Sequence, residues 1–262
     1  EISDIAYEKA GIMRPGHPVI IGRQPDDAAP VLRAESSRLQ AHAEWVGSDW
    51  TWSATASDGP SVHGSEFSIQ GPEIALAGVQ IPLIGDFQRE NATAALAAVV
   101  RSGLVAKDSL PQAARTGLNE LRWPGRVHVV RDRPLLIFDG AHNAESARQL
   151  ADTLKRSFGP RQRHWVIGMS RGKDVRGFLE AIRGAACAVT VTTTSHDRSL
   201  TAQELAELAK TQFKESSPPI TVAEAASPVA ALSAALAQSA PNDVVCAAGS
   251  FFLLGDLYSE LP

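Results

Sequence analysis

The sequence predicts an α/β fold built on a mostly parallel sheet, and three observations carry that prediction. From residue 127 onward, short apolar runs alternate with helical patterns, the order of elements that pairs strands in parallel and covers a sheet on both faces. Several of those helices carry their own start and stop signals, such as the capping box of Thr201 and Glu204 and the Gly159–Pro160 stop. Finally, 262 residues with 44% hydrophobic composition suffice for one large or two ordinary domains with packed cores.

The elements follow in order. EISDIAYEKAG reads as a helix ended by Gly11, PVIIG (18–22) as a strand and 27–40 as a helix. The polar, Trp-containing, Gly/Ser-rich stretch 44–80 predicts short antiparallel strands. NATAALAAVVRSG and LPQAARTGLNEL are two helices, and the Trp123–Gly125 turn marks a boundary. Beyond it, VHVV (127–130) and LLIF (135–138) are strands joined by the turn Arg131–Pro134. Ala147, Leu150, Ala151, Leu154 and Phe158 then line one helical face. HWVIG (164–168), CAVTVTTT (187–194), ITVA and VVCAAG (244–249) are strands. VRGFLEAIRG, LTAQELAELAKTQF and a segment around 228–239 are the intervening helices.

Composition excludes several functions. The net charge is −4 and the 25 Lys and Arg are scattered, so neither nucleic acid nor an anionic membrane is an expected partner. Cys187 and Cys246 share no CxxC spacing, which argues against a disulfide framework or zinc site and for small core residues. There is no apolar run of about 18 residues and no charged-then-apolar leader, so a soluble, cytoplasmic protein is expected. The chain opens at Glu1, inside a helix, which points to a piece of something longer.

LLIFDGAHNAESARQL (135–150) is the informative stretch. In an open α/β sheet, ligands bind beyond the carboxyl ends of the strands, and Asp139 sits at such an end. An acid ending an apolar run must find a ligand, a cation or a donor. His142 and Asn143 fall where free backbone N–H groups and the helix dipole favour an anion, although Asn143 reads equally well as an ordinary N-cap. Arg126, on the strand expected to pair with that of Asp139, is a candidate phosphate grip; alone, it would be solvated surface.

GMSRGKD (168–174) contains GxSxG between a strand and a helix, the setting of a hydrolase nucleophile at Ser170. Only His196 follows it among histidines, and the acids between them, Asp174 and Glu180, belong to the same loop and helix. A phosphate loop is also nearly matched here, one residue short, with Asp174 where a Ser or Thr should stand. No GxGxxG occurs. Lys9 in YEKAG reads as an exposed helix lysine.

Six ordered blocks together resemble the folylpolyglutamate synthase/dihydrofolate synthase family of the Mur ligase superfamily: IAYEKAGIMRPGHPVIIG, LIGDFQRENATAALAAV, RWPGRVHVV, IFDGAHNAESARQL, VIGMSRGKDVRGFL and AAGSFFLLGD. The resemblance implies a Rossmann-like C-terminal domain, about 123–262, preceded by the latter part of a central ATPase domain, about 1–122. It implies an ATP- and Mg2+-dependent ligase in which a folate or dihydropteroate carboxylate becomes an acyl phosphate and is taken by the amine of L-glutamate.

By resemblance, Asn91 contacts the adenine, Arg126 the phosphates and Asp139 the nucleotide, while His142 lies near the γ-phosphate or the glutamate. Lys9 matches a lysine carboxylated by CO2 that holds or orients magnesium, and Lys173 and Ser250 fall where related ligases hold the amino acid's carboxylates. The strand ending in polar groups would thus face a nucleotide between two lobes. The family's glycine-rich phosphate loop is not among these residues, so the chain alone is expected to be inactive or nearly so. A monomer is expected for the intact enzyme, with self-association open to the shorter chain. Two alternatives stand beside this reading: a non-catalytic nucleotide-binding or interaction module, and a serine hydrolase using Ser170.

Overall fold

The computed structural model describes residues 1–54 and 64–260, which form two compact units meeting in sequence at Leu121 and Arg122. The part of the Gly/Ser-rich stretch at 55–63 lies outside the described residues.

In the first unit, α1 (Ile2–Ala10) is capped by Gly11, and β1 (Pro18–Ile21), α2 (Ala29–Arg38) and β2 (His42–Trp45) follow. β1 and β2 pair in parallel, so residues 44 and 45 complete a βαβ unit instead of opening the expected antiparallel strands. Ala6, Met13, Ile21, Leu32 and Trp45 form its small core.

The antiparallel strands begin later, as β3 (Thr51–Ala54), β4 (Ser65–Gln70) and β5 (Ala75–Ile81) in sequential order. Their inward residues Phe67, Ile69, Leu76, Val79 and Ile81 pack with Trp50 and with Leu96 of α3 (Asp86–Ser102); α4 (Leu110–Asn119) completes the unit. α3 starts five residues before the expected position. Gln88 and Arg89 are buried in its first turns, with Arg89 paired to Asp86 at 2.9 Å, so a polar stretch without apolar periodicity is helical through tertiary contacts.

The second unit is the α/β layer structure that the alternating pattern predicts. β6 (His128–Asp132) and β7 (Leu135–Phe138) form an antiparallel hairpin. α5 (Ala144–Phe158), β8 (Arg163–Ile167), α6 (Val175–Ile182), β9 (Ala188–Thr192), α7 (Ala202–Phe213), β10 (Thr221–Ala225), α8 (Pro228–Gln238), β11 (Val244–Ala248) and α9 (Phe251–Tyr258) then alternate. The sheet order is β10-β9-β8-β11-β7-β6, parallel except at β6.

Strand residues alternate between the two layers. Leu136, Phe138, Val166, Val245 and Ala247 share a core with Ala231, Leu232 and Ala235 of α8 and with Leu253, Leu254 and Leu257 of α9. Their neighbours Leu135, Ile137, Trp165, Ile167 and Val244, at most 1% exposed, face the layer of α5, α6 and α7. All five expected face residues of α5 are buried, and the Thr201–Glu204 capping box forms. No helix among the described residues is long and apolar enough to cross a membrane.

One topological feature positions the site. β7 and β11 are neighbours, yet the chain leaves β7 toward α5 on one face and leaves β11 toward α9 on the other. Loops diverging from adjacent strand ends open a crevice at the carboxyl edge of the sheet.

Candidate functional site

Asp139 ends β7 beside that crevice with 5% of its surface exposed, and its donors come from the backbone. Oδ2 accepts the N–H of Val127 at 2.7 Å, and Oδ1 accepts the N–H of Ala141 at 2.8 Å. Burial pushes its pKa up, against the pull of these two N–H groups and of the positive Arg126. The carboxylate therefore fastens the entry to β6 onto the exit of β7. Val127 has φ of 44°, an unfavourable conformation for a β-branched residue, and its bond to Asp139 helps hold it there.

The same edge is laced by backbone bonds. Gly140 N–H donates to Gly125 O at 2.8 Å, and Gly249 N–H, just past β11, donates to Ala141 O at 2.7 Å. The exits of β7 and β11 and the turn before β6 are thereby one connected structure.

Arg126 stands two residues before β6, in the turn, rather than within the strand. Its guanidinium carbon lies 4.8 Å from the ring centroid of Phe251, an arrangement in which an aromatic face steadies a cation. Among the described residues it makes no ion pair; its one hydrogen bond is a long 3.5 Å contact to Gly125 O. A guanidinium held by stacking keeps its forked donors available to an anion. Gly140 makes this possible: a Cβ there would sit 2.3 Å from Phe251 Cζ and 2.8 Å from Arg126 Nη1.

His142 is half-buried in the loop before α5. Its Nδ1 lies 2.9 Å from Gly140 O, and because a carbonyl only accepts, Nδ1 carries the hydrogen. In the neutral ring this leaves Nε2 as an acceptor. Asn143 is the N-cap of α5, taking the N–H of Ser146 at 2.8 Å. Ser250 likewise caps α9, accepting the N–H of Leu253 at 3.1 Å with 6% of its surface exposed. Lys173 is exposed in the loop after β8, the strand on the other side of β11. The second unit thus brings Arg126, Asp139, His142, Lys173 and Ser250 to one edge of its sheet. Lys9 and Asn91 belong to the first unit, Lys9 exposed in the last turn of α1 and Asn91 exposed on α3, its Nδ2 3.4 Å from Gln88 Oε1.

The hydrolase alternative finds no support in these positions. Ser170 pairs through its backbone with Ser199, while His196 stacks on Phe252 at 3.7 Å and its Nδ1 accepts the N–H of Arg198. Asp174 caps α6, and Glu180 bonds Arg183 and Gln212. Both cysteines are free thiols, Cys246 buried and Cys187 half-buried. Among the described residues no group of three His, Cys, Asp or Glu could hold a metal ion. Phe251, the platform under Arg126, was missed by sequence reasoning; its only trace is an aromatic pair directly after Gly249–Ser250.

A doubly wound, mostly parallel sheet with an arginine, a histidine and two helix starts gathered at its switch point is the arrangement in which α/β domains bind anionic ligands. Residues 125–251 match the family described as Mur ligase, glutamate ligase domain. Beyond that domain, the chain is 34% identical over 221 residues to the dihydrofolate synthase/folylpolyglutamate synthase of Mycobacterium tuberculosis, covering 81% of this chain and 45% of that protein.

The structure of the Mycobacterium tuberculosis folylpolyglutamate synthase complexed with ADP superposes with a TM-score of 0.88 at 28% identity, over 99% of this chain and 59% of that one. The bifunctional folylpolyglutamate synthase/dihydrofolate synthase of Yersinia pestis, complexed with AMPPNP and a Mn ion, gives 0.79 at 27% identity, over 98% and 56%. The homologues and structure neighbours of the chain are thus folylpolyglutamate synthases/dihydrofolate synthases, and it spans about half the length of the curated relatives it matches.

Proposed function

We propose that the intact protein is an ATP-dependent ligase that joins L-glutamate to a folate or dihydropteroate carboxylate through an acyl phosphate. In this reading residues 123–262 are the C-terminal domain and 1–122 are part of the ATPase domain. The observation that carries it is the unpaired, Phe251-stacked guanidinium of Arg126 at the switch point, in a chain whose relatives are named for that reaction.

Chemically, the acceptor carboxylate displaces ADP from the γ-phosphate to form the acyl phosphate. The amine then attacks the acyl carbon, phosphate leaves, and the amine gives up a proton. Arg126 offers two parallel donors to phosphate oxygens, where charge accumulates. His142, with hydrogen on Nδ1, presents Nε2 as an acceptor able to take that proton or to orient the amine. Asp139 acts by fixing the loop that carries Gly140, His142 and the Val127 turn. Lys173 and Ser250 are proposed to contact the glutamate, and Asn91 the adenine.

ATP fits the residues present, through the guanidinium of Arg126 and the positive end of the α5 dipole. Magnesium does not find its ligand set among the described residues alone; Lys9, if carboxylated, would supply one anionic ligand, and no step is derived through the metal. Backbone donors of a glycine-rich phosphate loop are likewise not in this sequence, so the 262-residue chain alone is expected to ligate glutamate far more slowly than the intact enzyme.

Two substitutions test the arginine's role. In the intact enzyme, Arg126→Ala is expected to reduce kcat/KM for ATP by about 2 kcal/mol of transition-state stabilisation; unchanged kinetics would remove Arg126 from the site. Gly140→Ala is expected to shift unfolding stability by no more than about 1 kcal/mol, because Phe251 is 45% exposed and can swing away, yet to weaken nucleotide use by displacing the Arg126–Phe251 pair. Urea titration beside ATP kinetics checks it. Equal losses in both measurements would mean that the glycine serves only the fold.

A further inference from the structure

At the opposite, amino edge of the parallel sheet, the segments leading into β8, β9 and β10 line a half-open cavity of about 460 Å³. Its walls include Arg161, Arg163, Arg183, Cys187, Glu215 and Ser216. Three buried polar atoms of these residues have no protein hydrogen-bond partner: Arg163 Nε, Arg183 Nε and Ser216 Oγ. Buried donors left without acceptors are uncommon in folded proteins, and three of them belong to residues around this one cavity.

The charge balance supplies a direction. Arg163 is 8% exposed, yet its guanidinium reaches only carbonyl oxygens, of Arg161 at 3.0 Å, Leu154 at 3.3 Å and Gly159 at 2.6 Å, and no carboxylate. Burial pushes its pKa down, the expected penalty for an uncompensated cation. Arg183 is paired with Glu180 at 2.6 Å and donates to Gln212 O, so its charge is partly met; Arg161 is exposed at the mouth. Against three guanidinium groups the wall itself carries one acid, Glu215. An anion would meet the charge surplus, and the space is of the size that holds small ligands.

We propose that this cavity binds a tetrahedral oxyanion, free phosphate or the phosphate group of a small metabolite, at a site separate from the carboxyl-edge crevice. Cys187 provides the reporter, since it lines the cavity and is half-buried while Cys246 is fully enclosed.

The test is the rate at which iodoacetamide alkylates Cys187 in the full 262-residue chain, in phosphate and in chloride at equal ionic strength, with Cys187→Ser as the blank. Phosphate at millimolar concentration is expected to slow alkylation saturably. Arg161→Ala and Arg183→Gln are expected to raise the half-protecting concentration by about tenfold or more, the scale of a lost charge-assisted bond. Arg126→Ala, at the other edge, should leave it unchanged. Protection absent in the wild type, or abolished by Arg126→Ala and kept in the cavity variants, would overturn the proposal. Alkylation measured well below the unfolding midpoint of each variant keeps a folding defect from imitating lost binding.

Discussion

Asp139→Ala is expected to destabilise the second unit by about 2–6 kcal/mol, since it strands two buried backbone donors at about 1–3 kcal/mol each. Those donors are the N–H groups of Val127 and Ala141, and Val127 would lose the bond that helps hold its positive φ. Asparagine is a poor rescue, because its amide nitrogen would face one of the two N–H groups.

The effect also carries a pH signature. Burial is the largest influence on Asp139 and raises its pKa above the unfolded value. The fold therefore favours the protonated acid: the group's contribution is fully present below the ordinary aspartate range, near about 4, and declines as pH rises from there to the folded value. The urea-midpoint advantage of the wild type over Asp139→Asn should accordingly narrow as pH rises through that window. A gap that widens instead would show the two N–H groups outweighing burial.

Gly249→Val should cost about 2–6 kcal/mol, combining backbone strain with overpacking at about 1–3 kcal/mol each. Gly249 has φ of 112°, and a Cβ would lie 2.8 Å from Gly168 O and 2.9 Å from Met169 Cγ. The first of these is backbone at the end of β8 and cannot swing aside. Relief requires β8 and β11 to part at their carboxyl ends, which pulls on the bond from Gly249 N–H to Ala141 O. Stability and nucleotide binding should fall together, unlike in Gly140→Ala. Urea denaturation and calorimetric ATP titration of the same variant measure both; a folded variant with full ATP affinity would contradict the linkage.

Much of the second unit was legible because its signals are local and periodic. The apolar face of α5, the capping box at Thr201 and the strand–helix alternation can each be read within one element, and each is present. Where tertiary contacts decide, the letters said less. α3 begins at Asp86 although DFQRE shows no apolar stripe, because Gln88 and Arg89 are buried by their surroundings. α9 went unread because FFLL opens it as a continuous apolar run, without the one-face stripe that marks the equally short α6.

At the site, sequence singled out Asp139 as an acid that must find a ligand, a cation or a donor, without naming the donors. Its partners, Val127 and Ala141, are backbone groups that every sequence possesses, so no motif announces them. Arg126 had the opposite problem: its residue type suggested the chemistry, but only the fold shows Phe251 beneath it and, among the described residues, no ion pair. Ser250 was expected to touch substrate, and its oxygen caps α9; a cap and a ligand contact use the same residue types at the same helix starts.

The central claim, that a nucleotide engages the β7–β11 switch point through Arg126, is tested most directly by titrating the isotope-labelled chain with ADP and following its backbone amide resonances, which detects weak binding. Saturable shifts concentrated at residues 125–127, 139–143 and 249–251, and lost in Arg126→Ala, are the predicted result. Shifts that spare all three segments, or that persist unchanged without the guanidinium, would contradict it.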